Sequence, residues 1–371
     1  MKRYKLILTL LGISLCVSIF LIFHYIQRYI RSPEPIVPSN LFSEPVWKFD
    51  TQDKVTSTPV ALGNIVFVRL SDSVVALNAS TGNMIWKIES PSDTPLSISP
   101  QVSGNYLIVP EKNSRIAAFS PDIGKLLWRT PEFDNPLDTP SLESIAIINN
   151  KVIVARFDWS LAAYNIANGE LAWEIKLSGR SSLFLASEGN TVYLGTSSSL
   201  RAYDTDNGNL LWEKKLDAFI GGLLVNNKTM YIIDNAKPGV IALDLGTRDV
   251  IWSTNFEDVN EFDIRCIRAY NNQLYISSEK ILVISILDGQ ILWKTENLGH
   301  LECPIVLGNS LYVRNINTTL FAFDLLNGEE KGRMTVQFNA PDEFSPNRSP
   351  AAADGLLIVP VSDHEIISYQ P

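Results

Sequence analysis

The sequence predicts an all-β fold, an eight-bladed β-propeller, that follows an N-terminal transmembrane helix. The strongest observation is a repeat marked by tryptophan, with successive spacings of 39, 42, 45, 39, 40 and 41 residues. A period near 40 residues that is built from strand-like segments indicates a radial or solenoid array. The seven tryptophans that mark the repeat are Trp47, Trp86, Trp128, Trp173, Trp212, Trp252 and Trp293.

Each repeat contains four short apolar runs, as the first complete repeat shows. Its runs occupy residues 58–62, 65–68, 74–77 and 84–87, and short clusters of Gly, Asn, Asp, Ser and Thr separate them. Runs of this length between such residues are typical of strands joined by hairpin turns. Four strands in about 40 residues correspond to one propeller blade.

Counting the strands predicts how the ring closes. The third strand of each repeat carries a small or β-branched residue, and there are eight of these: Ala76, Ala118, Ala163, Ala202, Ala242, Val283, Ala322 and Ser368. The fourth strands also number eight if one of them carries Gly332 at the position where the others carry tryptophan. The chain begins with a lone fourth strand at 45–49 and ends with a repeat that lacks one. We therefore predict that the N-terminal strand completes the last blade, which removes an exposed sheet edge.

The recurring tryptophans and glycines have architectural roles in this prediction. Each Trp is expected to fill the wedge between neighbouring blades and to bury about 200 Å². The Gly four residues before it is expected to supply the positive φ of the hairpin turn. Arg248 replaces this Gly once, so we expect that turn to differ.

The N-terminal segment predicts an anchor. Lys2, Arg3 and Lys5 precede an apolar run over residues 6–26, which is long enough to cross a bilayer as a helix. The residues that follow are bulky and basic, without a small-residue cleavage site. We predict an uncleaved signal anchor at 1–31, a Pro-rich linker at 32–44 and the propeller at 45–371, with a cleaved signal peptide as the alternative.

The charge of the chain excludes one class of partner. The net charge is −9, and removal of residues 1–34 leaves 26 basic and 39 acidic side chains. Such a surface repels phosphate backbones, so we expect no nucleic-acid binding.

The phrase Ala-x-Asp/Asn-x-x-x-Gly-x-x-x-Trp, which spans residues 76–86 in the first repeat, resembles the repeat of the pyrroloquinoline-quinone (PQQ) family of eight-bladed propellers. The resemblance covers residues 45–371, and only architectural positions carry over. Two branches share this repeat: quinoprotein dehydrogenases, and a BamB-like non-catalytic branch that includes a lipoprotein of the outer-membrane β-barrel assembly machinery.

The catalytic branch of this family implies a site that the sequence does not contain. The resemblance implies an adjacent cysteine pair, a calcium ion, an aspartate base and a tryptophan floor, yet no two cysteines adjoin here. The tryptophan outside the repeat, Trp159, lies in a turn. We therefore predict no catalytic residue, no cofactor and no PQQ-dependent activity. A propeller that binds a small molecule, or acts as a quinoprotein-type oxidoreductase, through its central channel is the alternative.

Cysteine and histidine give little support for a metal site. Cys266 and Cys303 each precede a second-strand tyrosine by nine residues, so they should occupy neighbouring inner positions. A disulfide needs Cα atoms within about 7 Å, and inner strands usually lie farther apart. We expect two free buried thiols and leave a bond or a metal pair open. His24, His300 and His364 are scattered, so no metal site is predicted.

One second-to-third turn is unusual and predicts a partner contact. Arg156, Phe157 and Trp159 occupy it, whereas most equivalent turns are short and polar. Aromatic and Arg side chains are enriched in binding hot spots, although the aromatics could instead pack on the adjacent blade. The same face should carry the acidic loops at 130–144, 255–265 and 336–349, which suit a solvated rim, a basic partner or a cation.

Together these patterns predict a single-pass membrane protein whose propeller lies outside the cytoplasm, in the periplasm or extracellular space. We expect it to act as a non-catalytic protein-interaction scaffold, in cell-envelope assembly. Its protein partner is expected on the face with Trp159 and the acidic loops.

Overall fold

The computed structural model of the protein describes residue 42 and residues 44–90, 98–111, 115–132, 142–156, 158–177, 183–260, 263–316, 319–335 and 348–371. The predicted anchor at 1–31 and most of the predicted linker lie outside these residues. Within the described part of the chain, no helix is long and apolar enough to span a bilayer.

The described chain forms eight antiparallel four-stranded sheets, which confirms the predicted eight-bladed propeller. The first strand in the chain is β1 (Pro45–Asp50), which belongs to the last blade. Blade 1 comprises β2 (Val60–Leu62), β3 (Ile65–Arg69), β4 (Ser73–Asn78) and β5 (Met84–Glu89), and blade 2 comprises β6 (Gln101–Ser103), β7 (Tyr106–Pro110), β8 (Ile116–Phe119) and β9 (Leu126–Arg129). Blade 3 comprises β10 (Leu142–Ile148), β11 (Lys151–Arg156), β12 (Ser160–Asn165) and β13 (Leu171–Lys176), and blade 4 comprises β14 (Phe184–Glu188), β15 (Thr191–Thr196), β16 (Ser199–Asp204) and β17 (Leu210–Lys215).

Blades 5 to 8 continue the same pattern. Blade 5 comprises β18 (Ile220–Asn226), β19 (Thr229–Asp234), β20 (Gly239–Asp244) and β21 (Val250–Asn255), and blade 6 comprises β22 (Cys266–Tyr270), β23 (Gln273–Ser277), β24 (Ile281–Ser285) and β25 (Ile291–Lys294). Blade 7 comprises β26 (Ile305–Leu307), β27 (Ser310–Arg314), β28 (Thr319–Asp324) and β29 (Glu330–Thr335), and blade 8 comprises β30 (Ala351–Ala353), β31 (Leu356–Pro360) and β32 (Glu365–Tyr369) with β1. In blade 8 the order is β1-β32-β31-β30, so the N-terminal strand completes the last blade as predicted.

The strand register repeats with the sequence. In every blade the small third-strand residue pairs with the fourth-strand tryptophan position, for example Ala76 with Trp86, and Ser368 pairs with Trp47 across the closing strands. Gly332 pairs with Ala322 in the same way, so it occupies the tryptophan position of blade 7. The core lies between the blades, where the apolar second and third strands of adjacent sheets face one another.

Each repeat tryptophan reaches from its own outer strand to the third-to-fourth turn of the next blade. The indole N–H of Trp47 donates to the Ala79 carbonyl at 2.7 Å, and that of Trp128 donates to the Ile166 carbonyl at 2.7 Å. Trp86, Trp173, Trp252 and Trp293 make the equivalent bond. A Cβ placed on Gly82 would lie 2.6 Å from the Trp47 ring, so this turn needs glycine for close approach as well as for its φ of +71°.

The turn with Arg248 corrects one expectation. Arg248 has a φ of +66°, and its backbone N–H bonds to the Asp244 carbonyl, as the glycine turns do. The backbone of this turn therefore does not differ. The tryptophan contact differs instead, because the Arg248 guanidinium lies 5.5 Å from the centre of the Trp212 ring.

The wedge between blades 7 and 8 is filled by a residue that the repeat does not mark. Blade 8 has no third-to-fourth hairpin, because its fourth strand comes from the N-terminus. Phe42 packs there in T-shaped contacts with Tyr312 and Tyr369, at ring-centre distances of 6.2 and 5.7 Å. It also contacts the cluster that joins blade 7 to blade 8. Phe42 thus takes the place that a tryptophan takes elsewhere.

Candidate partner-binding face and channel

The second-to-third turns and the fourth-to-first loops lie at the same end of the blades, and we call this end the loop face. In blade 3 the Leu177 N–H, just after the fourth strand, donates to the Trp159 carbonyl at 2.7 Å. Blades 4 and 5 have the same bond, from Leu216 to Ser198 and from Phe256 to Pro238. Backbone hydrogen bonds therefore fix where each loop leaves the sheet.

Arg156 does not reach the surface of the loop face. Its side chain is only 2% exposed, and its guanidinium donates to Glu174 Oε1 at 2.9 Å and to Ser160 Oγ at 3.3 Å. It also donates to the Tyr164 hydroxyl, whose pKa burial raises. Arg156 therefore stabilises the turn from inside blade 3, and in this conformation it offers no surface to a partner.

Trp159 occupies a fixed and unusual backbone position. It is half-buried, its φ is +55°, and its N–H donates to the Arg156 carbonyl at 3.0 Å. Asp158 supports the turn, because its carboxylate accepts from Ser160 and from Lys176 Nζ. Burial alone would raise the pKa of Asp158, but these hydrogen bonds outweigh it and lower that pKa. Phe157 lies outside the described residues.

The acidic loop after blade 5 is partly neutralised by its neighbours. Asp258 Oδ2 accepts from Lys280 Nζ and from Lys294 Nζ, each at 2.8 Å. Hydrogen bonds from these two lysines lower the pKa of Asp258 to about 2. The negative charge of Asp258 is therefore offset by these lysines, and this carboxylate adds little to an acidic docking surface. The loop at 336–347 and most of 130–141 lie outside the described residues.

Three residues on the loop face come together although they are distant in the sequence. Asp263, Glu279 and His300 present ligand atoms that all lie within 4.8 Å of one another. They belong to the loops on either side of blade 6 and to its second-to-third turn. Sequence reasoning missed this cluster because it sought closely spaced histidines, and a single histidine with carboxylates from two other segments leaves no spacing signal.

The two cysteines of the propeller form a disulfide, so the expectation of free thiols is wrong. Cys266 and Cys303 have Cα atoms 5.3 Å apart. Hydrogen bonds link the next blades at the same level: the Cys303 N–H donates to Ser349 Oγ, before blade 8, and the Ser349 N–H donates to Thr58 Oγ1, before blade 1. The inner segments of blades 6 and 7 therefore lie closer at the two cysteines than the usual spacing of inner strands predicts.

At one level of the inner ring the equivalent first-strand residues are mostly apolar, and one of the eight is charged. The first-strand residues that pair with the middle of each second strand are Val60, Gln101, Ala146, Ala186, Leu224, Arg268, Ile305 and Ala351. Arg268 is solvent-accessible, and the solvent beside a first strand is that of the channel. The surrounding protein nevertheless lowers the pKa of Arg268 by burial.

The residues of the inner ring do not fit a PQQ site of the kind that the dehydrogenase resemblance implies. The disulfide joins cysteines 37 residues apart in neighbouring blades, not an adjacent pair. Arg268 stands among mostly apolar equivalents, where a calcium ion would need oxygen ligands. No step of a quinoprotein reaction can be derived from these residues.

The fold and its repeat define the class of this protein: it is a PQQ-like eight-bladed β-propeller. A family model for outer membrane protein assembly factor BamB matches residues 43–254, more than half of the chain. The chain therefore belongs to the BamB family.

Individual relatives are more distant. The outer membrane protein assembly factor BamB of Escherichia coli is 27% identical over 129 residues, a segment that spans 34% of this chain and 31% of that protein. BamB from Moraxella catarrhalis superposes with a TM-score of 0.66 at 14% identity, covering 88% of this chain and 99% of that one. Quinohemoprotein alcohol dehydrogenase from Comamonas testosteroni gives 0.69 at 13% identity, covering 88% and 76%. Both superpositions show a shared fold only.

Proposed function

We propose that this protein is a membrane-anchored, extracytoplasmic, non-catalytic propeller that binds a protein partner through its loop face during cell-envelope assembly. Family membership supports the partner class, because the matching relatives are outer membrane protein assembly factors by name. The mismatch between the inner ring and a quinone site supports a role without catalysis.

The disulfide supports the proposed location. Structural disulfides persist in oxidising compartments such as the periplasm and the extracellular space, and they are rare in the cytosol. The Cys266–Cys303 bond joins two neighbouring blades inside the ring, so its role is structural. The proposed anchor at 1–31 and linker at 32–44 would hold the propeller at 45–371 outside the membrane.

The observation that carries the proposed partner site is the conformation of Trp159. A bulky residue at positive φ is uncommon and costs free energy, so the surrounding structure must hold it there. Here hydrogen bonds at both the N–H and the carbonyl of Trp159 hold it, and Asp158 stabilises the turn. A fixed, partly accessible indole on a hairpin turn can serve as a preorganised anchor.

The test is affinity capture from membranes with the full-length chain, followed by measurement of the dissociation constant for the partner that is identified. Truncation of a hot-spot indole costs at least about 2 kcal/mol, so Trp159→Ala should weaken binding about thirtyfold. The double variant Phe157→Ala/Trp159→Ala should weaken it further, and the thermal midpoint should remain near that of the wild type.

Leu326→Ala is the matched control. Leu326 is 75% exposed and lies in a third-to-fourth turn, at the opposite end of the blades, so its removal should leave capture intact. If Trp159→Ala lowers the thermal midpoint by many degrees and leaves the dissociation constant unchanged, then Trp159 is a packing residue and the proposed site is wrong.

A second candidate function rests on Arg268. Arg268 is the charged member of the eight equivalent first-strand residues, and a cation at this position can bind a small anionic molecule, which is the channel-based alternative. Titration with small carboxylates and with the quinone itself tests it. Saturable binding that Arg268→Leu abolishes, while protein capture is unaffected, would favour this alternative; dye-linked alcohol oxidation by the quinone-loaded protein would contradict the non-catalytic proposal.

A further inference from the structure

The cluster of Asp263, Glu279 and His300 has the arrangement of a metal site with an orienting carboxylate. Asp263 is the most buried member, with a side chain that is 7% exposed. Its Oδ1 lies 2.8 Å from His300 Nδ1, and its Oδ2 accepts the Glu279 backbone N–H at 3.1 Å. Both oxygens of Asp263 are therefore engaged, and the carboxylate fixes the ring of His300.

This contact decides which nitrogen of His300 is available. An ionised carboxylate only accepts hydrogen bonds, so Asp263 favours the tautomer with the proton on Nδ1. The lone pair then lies on Nε2. Metal-binding histidines commonly donate their other N–H to a carboxylate in this way, which fixes the tautomer and raises the basicity of the ligand.

Glu279 places a carboxylate oxygen opposite that nitrogen. Its Oε2 accepts from Asn297 Nδ2 at 2.7 Å, and its Oε1 lies 4.0 Å from His300 Nε2. This separation is too long for a hydrogen bond. Two ligands on one tetrahedral zinc ion lie about 3.4 Å apart, given Zn–N and Zn–O bonds of about 2.1 Å. A small rotation of the Glu279 carboxylate would bring Oε1 from 4.0 Å to about 3.4 Å from His300 Nε2.

The backbone holds the three segments in place. The Leu298 N–H donates to the Glu279 carbonyl at 2.8 Å, the Leu301 N–H donates to the Ser278 carbonyl at 2.8 Å, and the Ile316 N–H donates to the His300 carbonyl at 2.9 Å. The ligand side chains remain accessible, since His300 is 40% and Glu279 is 24% exposed. The site is therefore preorganised and open to solvent.

We propose that the loop face binds a zinc-class divalent ion between His300 Nε2 and Glu279 Oε1, with water completing the coordination and Asp263 as a positioning residue. An imidazole ligand favours zinc and the late transition metals over calcium and magnesium, which prefer oxygen ligands. The nearby lysines do not oppose the ion directly, because Lys280 and Lys294 both contact Asp258. Binding would join the second-to-third turn of blade 6 to the loop that follows this blade, independently of any protein partner.

The experiment uses the untagged full-length chain, freed of metal with a chelator, and titrates it with Zn²⁺ by calorimetry. We expect one ion per chain. His300→Gln and Glu279→Gln should each weaken binding by at least tenfold, and Asp263→Asn should weaken it about 10- to 100-fold, the usual effect of losing an orienting group. Titration with Co²⁺ should give visible absorption bands that His300→Gln removes.

His364→Gln is the matched control, because His364 is exposed in the turn before β32, far along the chain from the cluster. It should bind Zn²⁺ like the wild type. Thermal midpoints measured with chelator present show whether a variant has lost a metal-binding side chain or has lost stability. His300 is accessible and supports little of the core, so the midpoint of His300→Gln should match that of the wild type. Binding of equal affinity in the wild type and His300→Gln, or no binding by the wild type, would overturn the proposal.

Discussion

The blade interfaces that tryptophan fills and the interface that closes the ring solve the same packing problem with different residues. At six of the seven tryptophan interfaces the indole fills the wedge and donates a hydrogen bond to the next blade's hairpin, as Trp128 does at Ile166. At the closing interface blade 8 lacks that hairpin, and Phe42 fills the wedge without such a bond. A repeat can therefore supply every interface except the one where the chain is discontinuous.

The closing interface also has buried charges that link blade 7 to blade 8. Arg314 and Glu302 form a bidentate pair at 2.6 and 3.2 Å, and both side chains are nearly inaccessible. Arg314 also donates to the Pro360 carbonyl, and Glu302 accepts from the Arg348 N–H. These directional contacts hold blades 7 and 8 in one register, which apolar packing alone does not specify.

The largest expected effect comes from breaking this pair. Glu302→Gln leaves the Arg314 charge buried without its counter-ion, and removal of one partner of a buried pair costs about 3–5 kcal/mol. Urea unfolding followed by tryptophan fluorescence measures the loss. Asp217→Asn, at the exposed pair with Lys237, is the control and should change nothing. Equal stability of the two variants would mean that the charges do not hold the closing interface.

The disulfide beside the closing interface should give the next effect. The bond joins residues 37 apart, and a loop of this length restricts the unfolded chain by about 4 kcal/mol in the chain-entropy estimate. Cys266→Ser/Cys303→Ser should therefore lower the unfolding free energy by about 2–4 kcal/mol. Wild-type protein unfolded in the presence of a reductant should match the double variant. A wild type that resists urea no better than the variant would show that the ring needs no such constraint.

The effect expected at Phe42, the wedge residue of the closing interface, is smaller than those of the buried pair and the disulfide. Trp128 is buried and Phe42 is half-buried, and removal of a buried aromatic side chain costs about 3–5 kcal/mol. Phe42→Ala should cost about 2 kcal/mol, less than Trp128→Ala. Hydrogen exchange should then increase first in β1 and β32 for Phe42→Ala, and in blades 2 and 3 for Trp128→Ala. Uniform exchange in both variants would contradict a local role for Phe42.

The smallest effect is expected at Arg248, the arginine in a glycine turn. Arg248→Ala keeps the left-handed backbone but loses the contact with Trp212, worth about 0.5–1 kcal/mol. Arg248→Gly loses the same contact but relieves about 1 kcal/mol of left-handed strain. We therefore expect Arg248→Gly to match the wild type and Arg248→Ala to be less stable in the same urea assay. An alanine variant as stable as the wild type would show that the cation–π contact contributes nothing.

The sequence alone determined the blade number, the closing strand and the tryptophan interfaces. These features repeat about every 40 residues, and each depends on a short local pattern of strand, turn and glycine. The period therefore revealed them without knowledge of the ring. The same pattern marked Trp159 as unusual, because its turn departs from the polar turns of the other blades.

Only the tertiary structure decided the contacts between blades that no repeat encodes. It brought Phe42 to Tyr369, Cys266 to Cys303 and Asp263 to His300, and each pair joins segments whose distance in the sequence says nothing about their distance in space. It also turned Arg156 inward to Glu174, because the direction of a side chain at the end of a strand depends on the neighbours that surround it. Local patterns fix the elements, whereas the closed ring fixes which of their side chains meet.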